Sequence, residues 1–174
     1  MKEETRMAVE RLEMAMEIER EGRKFYLDAA ERTEDDKGKA MWRSLARQEA
    51  LHIEYLTNAR RALVEKGRWA SFGMGGVRFL SEQDIRRIFP ETAEGEVEPS
   101  ADELAALKTG IEMEIKSRDL YEDLAKKTKE PQGKDMYEKL ARWEETHRQL
   151  LQAGYDYLKK TGFWLDVQEL GFGA

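Results

Sequence analysis

Leu45-Ala-Arg-Gln-Glu-Ala-Leu-His52 returns as Leu140-Ala-Arg-Trp-Glu-Glu-Thr-His147, 95 residues further along a chain of 174. In both copies a glutamate stands three residues before a histidine, and these are the chain's only two histidines. The recurrence extends outward on both sides. Met14–Trp69 aligns with Thr109–Trp164 without a gap, and about nineteen of the paired positions are identical. Glu19 falls on Glu114, Tyr26 on Tyr121, Gly38-Lys39 on Gly133-Lys134 and Trp69 on Trp164. A repeat of this length marks one supersecondary unit used twice.

Each copy reads as two helices joined by a short turn. Apolar residues recur at helical spacing over about Thr5–Arg32 and Asp36–Lys66, with the polar Thr33–Gly38 stretch between them. The second copy repeats the pattern over about Ala101–Lys127 and Lys134–Lys160. Ser100 followed by Glu103 forms a capping-box pattern at its start, and Pro131 and Gly133 punctuate its turn. Long helices on short turns pack as antiparallel neighbours. The expected fold is therefore all-α, a four-helix bundle made of two repeated hairpins (5–66 and 101–161) in a single domain over 1–174. A long crossover (67–100) joins the hairpins and a tail (162–174) follows them. Within the crossover the Ser71-Phe-Gly-Met-Gly-Gly run reads as loop, and a short helix is expected from about Ser81 to Phe89. This stretch is read as a connection, with a lid over one end of the bundle as the alternative.

Placing residues on helix faces turns the repeat into chemistry. Leu45, Glu49, His52, Leu56, Ala59 and Leu63 follow the spacing of an inward seam, and Leu140, Glu144, His147, Leu151, Gly154 and Leu158 repeat it. On the first helix Glu19 and Tyr26 share a stripe with Leu12 and Met16; on the third, Glu114 and Tyr121 share one with Leu107 and Ile111. Every helix thus puts one glutamate inside its apolar stripe. Burying unpaired charge costs several kcal/mol per ion, and no lysine or arginine lies on these stripes to neutralise four carboxylates. Two divalent cations would cancel four negative charges, and two imidazoles would complete the coordination. Glu and His at i and i+3 project from one side of a helix, so both reach one metal.

A lone Glu-x-x-His is a weak signal; its recurrence at matched positions, each with a partner glutamate in its own hairpin, is a strong one. The other glutamates, including Glu17 and Glu112, read as solvated faces, and the methionines as core. Trp69 and Trp164 are expected to seal the hairpin ends. Tyr26 and Tyr121 lie two turns from Glu19 and Glu114, where they either hydrogen-bond the ligands or simply pack.

Composition narrows the classes. The chain has no cysteine, which removes disulfides, thiolate metal sites and redox Cys pairs. A net charge of -6 argues against a general nucleic-acid binder. No stretch approaches the roughly 18 apolar residues of a membrane span, and the charged start, Met1 to Arg20, has no signal-peptide core. A cytoplasmic location is the expectation.

At Glu19-Arg-Glu-Gly-Arg-Lys-Phe-Tyr26, Glu49-Ala-Leu-His52, Glu114 through Tyr121 and Glu144-Glu-Thr-His147, the chain resembles the rubrerythrin branch of the ferritin-like superfamily. Such bundles hold two metals with one Glu from each of two helices and a Glu-x-x-His from each of the others. The resemblance implies Glu19, Glu49, His52, Glu114, Glu144 and His147 as metal ligands, with Glu49 and Glu144 bridging two ions, Glu19 and Glu114 terminal, and one histidine on each. It further implies a di-iron protein that reacts with hydrogen peroxide or dioxygen, and assembly as a homo-dimer or larger. Two departures matter. Rubrerythrins carry a four-cysteine rubredoxin domain, so here an electron donor would have to be a separate protein. Where they have an additional carboxylate one turn beyond the third-helix glutamate, this chain has Ser117 and Arg118. Oxygen and imidazole donors do not by themselves separate Fe from Mn or Zn. Iron handling without turnover, and a structural bundle with a redox-silent metal, therefore stand as the alternative readings.

Overall fold

The computed structural model describes residues 2–71, 97–164 and 166. Four helices account for nearly all of them: α1 (Glu3–Arg32), α2 (Asp36–Lys66), α3 (Ala101–Lys127) and α4 (Pro131–Thr161). No strand occurs among the described residues, so the all-α reading holds. The short helix expected from Ser81 to Phe89, the glycine-rich run and most of the tail lie outside the described residues.

Helix boundaries follow local chemistry. The Asp35 side chain accepts hydrogen bonds from the backbone N–H groups of Lys37 and Gly38 at 2.8 and 3.1 Å, capping α2. Helix α4 starts at Pro131, one turn earlier than the expected Lys134. Proline suits that first position, since its φ is already helical and its missing N–H would have no helical partner. At the other ends Gly67 and Gly162 adopt left-handed conformations (φ 64° and 73°) that terminate α2 and α4. Only half of the expected capping box forms at α3. Ser100 Oγ accepts from the Glu103 N–H at 3.4 Å, while the Glu103 carboxylate accepts the Trp164 indole N–H at 3.0 Å.

The closest backbone approaches are α1 to α2 and α3 to α4, as two hairpins require, and α1 also approaches α3. Trp69, just after α2, lies on Gly133 at the start of α4 and edge-on to Tyr137. Trp164, just after α4, lies on Gly38 at the start of α2 and edge-on to Trp42. Each tryptophan therefore seals the turn of the opposite hairpin, not the end of its own. The hairpins consequently point in opposite directions, and Lys66 and Ala101 lie at opposite ends of the bundle. The connection between them must travel about 40 Å, given helices near thirty residues long at 1.5 Å each, which explains why it is long.

Apolar side chains from all four helices form two core clusters. One gathers Leu12, Leu56, Tyr121, Leu140 and Trp69; the other gathers Tyr26, Trp42, Leu45, Leu107 and Trp164. The six candidate ligands occupy the helix turns between them.

The Trp–Gly contacts generate a test. A Cβ at Gly38 would fall 2.6 Å from Thr33 Cγ2 and 2.7 Å from Trp164 Cε2, and one at Gly133 would fall 2.6 Å from Trp69 Cε2. Overpacking a closed site costs about 1–3 kcal/mol, against roughly 1 kcal/mol that alanine recovers in a helix interior and less near its start. Gly38→Ala and Gly133→Ala should each lower the thermal midpoint; an unchanged or raised midpoint would show that the seals have slack.

Candidate metal centre

Glu19 on α1, Glu49 and His52 on α2, Glu114 on α3, and Glu144 and His147 on α4 converge at mid-bundle. All six are at most 3% exposed. His52 Nδ1 lies 3.1 Å from Glu19 Oε2, 3.1 Å from Glu49 Oε2 and 2.9 Å from Glu144 Oε1. His147 Nδ1 lies 3.2 Å from Glu49 Oε1, 3.6 Å from Glu114 Oε1 and 3.4 Å from Glu144 Oε2. Glu49 and Glu144 thus each divide their two oxygens between the two histidines, the arrangement a bridging carboxylate takes. Glu19 faces only the first histidine and Glu114 only the second.

Ligand atoms of Glu19, Glu49, His52 and Glu144 lie within 4.8 Å of one another, as do those of Glu49, Glu114, Glu144 and His147. These are two four-donor groups sharing two carboxylates. The donor chemistry fits a pair of divalent ions. Glu144 Oε1 and His147 Nδ1 are buried and crowded against other ligand atoms of the cluster, yet neither has a well-aligned hydrogen-bond partner, although buried polar atoms are rarely left so. A metal ion would use both lone pairs.

Both tyrosines touch the cluster, and they do so crosswise. The Tyr26 hydroxyl donates to Glu114 Oε1 and the Tyr121 hydroxyl to Glu19 Oε1, each a hydrogen bond between hairpins. Each also stacks on an aromatic neighbour, Tyr26 on Trp42 and Tyr121 on Tyr137. The sequence left open whether these tyrosines pack or hydrogen-bond; they do both.

Electrostatics set which of these groups favour their protonated forms when no metal is bound. Burial, reinforced by the charges of Glu144 and Glu49, pushes Glu19 well above the usual carboxylate range, and burial with Glu144 does the same for Glu114. Burial also pushes Glu49 and Glu144 up. It is overcome at Glu49 by a hydrogen bond from Glu19 and the His52 charge, and at Glu144, held to about 2, by His52 first. For the histidines, burial pushes downward but is outweighed by Glu144 and Glu19 at His52 and by Glu114 at His147, so both end well above 6.5. Burial and the neighbouring charges thus favour the protonated forms of Glu19, Glu114 and both imidazoles and the ionised forms of Glu49 and Glu144.

Two neighbours escaped the sequence reading. Gln48 Oε1 accepts from the Trp143 indole N–H at 2.9 Å and lies 3.0 Å from His147 Nε2, behind the ring. Gln48 and Trp143 are repeat partners, one residue before Glu49 and Glu144, so their mismatch inside an otherwise matched motif was the available signal. Arg118, by contrast, turns away from the cluster to pair with Glu145 at 2.7 Å, and with Arg148 it holds the Glu145 carboxyl down to about 2. Position 118 therefore supplies the cluster nothing.

A cavity of about 290 Å³ between α1 and α3 reaches the cluster, lined by Glu19, Gly22, Tyr26, Glu114, Ser117 and Glu144 among others. A larger cleft of about 870 Å³, beside Trp69 and Tyr137, touches none of the six. No helix among the described residues is long and apolar enough to cross a membrane.

Fold and site together define a four-helix bundle with a buried carboxylate–histidine group able to bind metal. The rubrerythrin family model matches residues 105–169, which cover most of α3 and all of α4, and over that stretch the chain is similar to rubrerythrins; the internal repeat carries the same motif into the first hairpin. No curated protein and no solved structure matches the chain.

The protonation pattern predicts two linked effects. Two carboxyls and two imidazoles must give up protons to become ligands, so two divalent ions should release about four protons and bind more tightly as pH rises. The metal-free fold should behave oppositely. Groups whose folded pKa is raised contribute stability that is complete below their unfolded values and is lost as pH rises through the folded ones. Thermal melts of chelator-treated protein should therefore fall as pH rises above about 6.5, and calorimetry in buffers of different ionisation enthalpy should count the released protons. A flat or rising midpoint together with no proton release would contradict the charge assignment.

Proposed function

We propose that the protein is a di-iron redox protein that reduces hydrogen peroxide, or reacts with dioxygen, with electrons from a separate donor protein. One observation carries the reading: two buried four-donor groups share Glu49 and Glu144 at the end of a small cavity. In this reading Glu49 and Glu144 bridge, Glu19 and Glu114 are terminal, and His52 and His147 hold one ion each. A pair of bound ferrous ions would supply the two electrons that one peroxide molecule requires. Iron suits the mixed oxygen and imidazole donors, as manganese and zinc also do.

The chain's own side chains serve the same reaction. Reducing one peroxide to two waters consumes two electrons and two protons. Glu19 and Glu114, at the cavity wall, would be ionised as terminal ligands of the loaded centre, so the two protons come from water reaching the cavity. The Tyr121 and Tyr26 hydroxyls hold these two carboxylates in place, so neither can swing away without breaking a hydrogen bond to the opposite hairpin. Both tyrosines are pushed well above 10, by burial first and the adjoining carboxylates next, and so remain hydrogen-bond donors. Gly22 and Ser117, repeat partners on α1 and α3, leave a passage suited to a molecule the size of peroxide. With no cysteine in the chain, re-reduction falls to a separate protein, and the cytoplasm suits a protein dependent on reductant.

The test is stopped-flow oxidation of protein loaded with two Fe(II) per chain, peroxide against dioxygen. Fast stoichiometric oxidation by either is the expected result. Gly22→Leu should slow it about tenfold or more, a barrier change of roughly 1.4 kcal/mol, without changing iron stoichiometry; a Cβ at Gly22 meets only Glu49 Cγ, at 3.9 Å. Indifference of the loaded protein to both oxidants would overturn the redox reading in favour of iron handling or a structural metal.

A further inference from the structure

The internal repeat serves as its own control, because any difference between the two metal positions must come from residues at which the copies differ. Around the cluster the ligands match, and so do the tyrosines. Gly22 and Ser117 differ at the cavity wall, but the mismatch that touches a ligand's ring lies behind the histidines. His147 turns its outer nitrogen, Nε2, to Gln48 Oε1 at 3.0 Å. The matching place behind His52 is occupied by Trp143, whose ring stands edge-on to the imidazole with centroids 4.4 Å apart. His52 Nε2 is buried and has no hydrogen-bond partner.

The direction of the Gln48 bond follows from chemistry. An indole N–H can only donate. The Gln48 atom 2.9 Å from Trp143 Nε1 must therefore be the amide oxygen, and the flip of the amide is settled without seeing hydrogens. That oxygen can only accept, so His147 Nε2 must carry a proton. The lone pair for a metal is then on Nδ1, the nitrogen that faces Glu49, Glu114 and Glu144. A hydrogen-bond acceptor behind a ligating histidine fixes its ring and raises its basicity, and losing one typically costs 10–100-fold in metal affinity. Trp143 acts on both sides: it locks Gln48 for His147, and it stands where an acceptor for His52 would have to be.

We propose that the two metal positions are inequivalent, with Gln48 as the positioning residue. The position formed by Glu49, Glu114, Glu144 and His147 fills first and holds its ion more tightly; the position formed by Glu19, Glu49, Glu144 and His52 fills second and exchanges faster. This inference rests on the metal-centre reading.

The experiment is long-range ¹H–¹⁵N NMR of the histidine rings in the full chain, with one zinc ion added per chain and then two. The metal-bound Nδ1 signal reports which histidine is occupied. At one equivalent His147 should be occupied over His52 by about 10-fold or more. In the fully loaded protein the His147 Nε2–H proton should resonate downfield as a hydrogen-bonded proton. Gln48→Met should abolish both the bias and the downfield signal while two zinc ions still bind. Gln48→Glu, which keeps an acceptor oxygen, should restore them. Should Gln48→Met fail to fold, Trp143→Phe, which frees the amide to flip, should reduce the bias in the same direction. Equal occupancy at one equivalent, or a bias untouched by both substitutions, would overturn the inference while leaving the centre intact. Failure to bind zinc at all would instead overturn the metal-centre reading beneath it.

Discussion

Glu19, Glu49, Glu114 and Glu144 meet in a part of the bundle where almost no water reaches them, and the rest of the structure is arranged around making that tolerable. Four ionised carboxylates at this burial would each cost several kcal/mol, more in sum than a domain of this size has to spare. Without metal the cost is eased by protons: burial favours the neutral forms of Glu19 and Glu114, and the surrounding carboxylates favour the cationic forms of His52 and His147. Two divalent ions would offset the carboxylate charges instead, with the protons gone. Protons and metal thus compete for one site, and that competition links the fold to the chemistry.

The repeat makes the solution economical in sequence. Oppositely directed hairpins bring each ligand opposite its counterpart, and the crosswise Tyr26–Glu114 and Tyr121–Glu19 bonds tie one hairpin to the other at the site itself. The crosswise Trp69–Gly133 and Trp164–Gly38 contacts do the same at the two ends. The register of the hairpins is therefore fixed at three levels, and the cluster sits at the middle one. Departures from the repeat carry information of their own, since nothing in the symmetry demands them. Gln48 against Trp143 is the departure that touches a ligand's ring.

Much of this was legible in the residues. The helices and the inward-facing Glu and His positions follow from helical spacing, because an apolar seam interrupted by one glutamate per helix admits few other readings. What could not be read was geometry between hairpins. Nothing in the spacing says that Trp164 closes over Gly38 rather than its own turn, or that Tyr26 reaches Glu114 rather than Glu19 seven residues away on its own helix. Glu103 illustrates a local rule overridden from a distance, since its carboxylate takes the Trp164 indole in place of a capping role. Gln48 was missed because a glutamine amid charged residues looks like solvated surface until the opposing helix turns an indole toward it.

The central claim is that this group of side chains holds two ions bridged by Glu49 and Glu144. The most direct measurement is a crystal structure of iron-loaded protein with anomalous difference maps recorded at the iron edge. The account predicts two peaks per chain, both between Glu49 and Glu144, one beside His52 and one beside His147, roughly 3.5–4 Å apart as in two-metal sites. A single peak, or iron bound elsewhere with the six side chains still sharing protons, would contradict it.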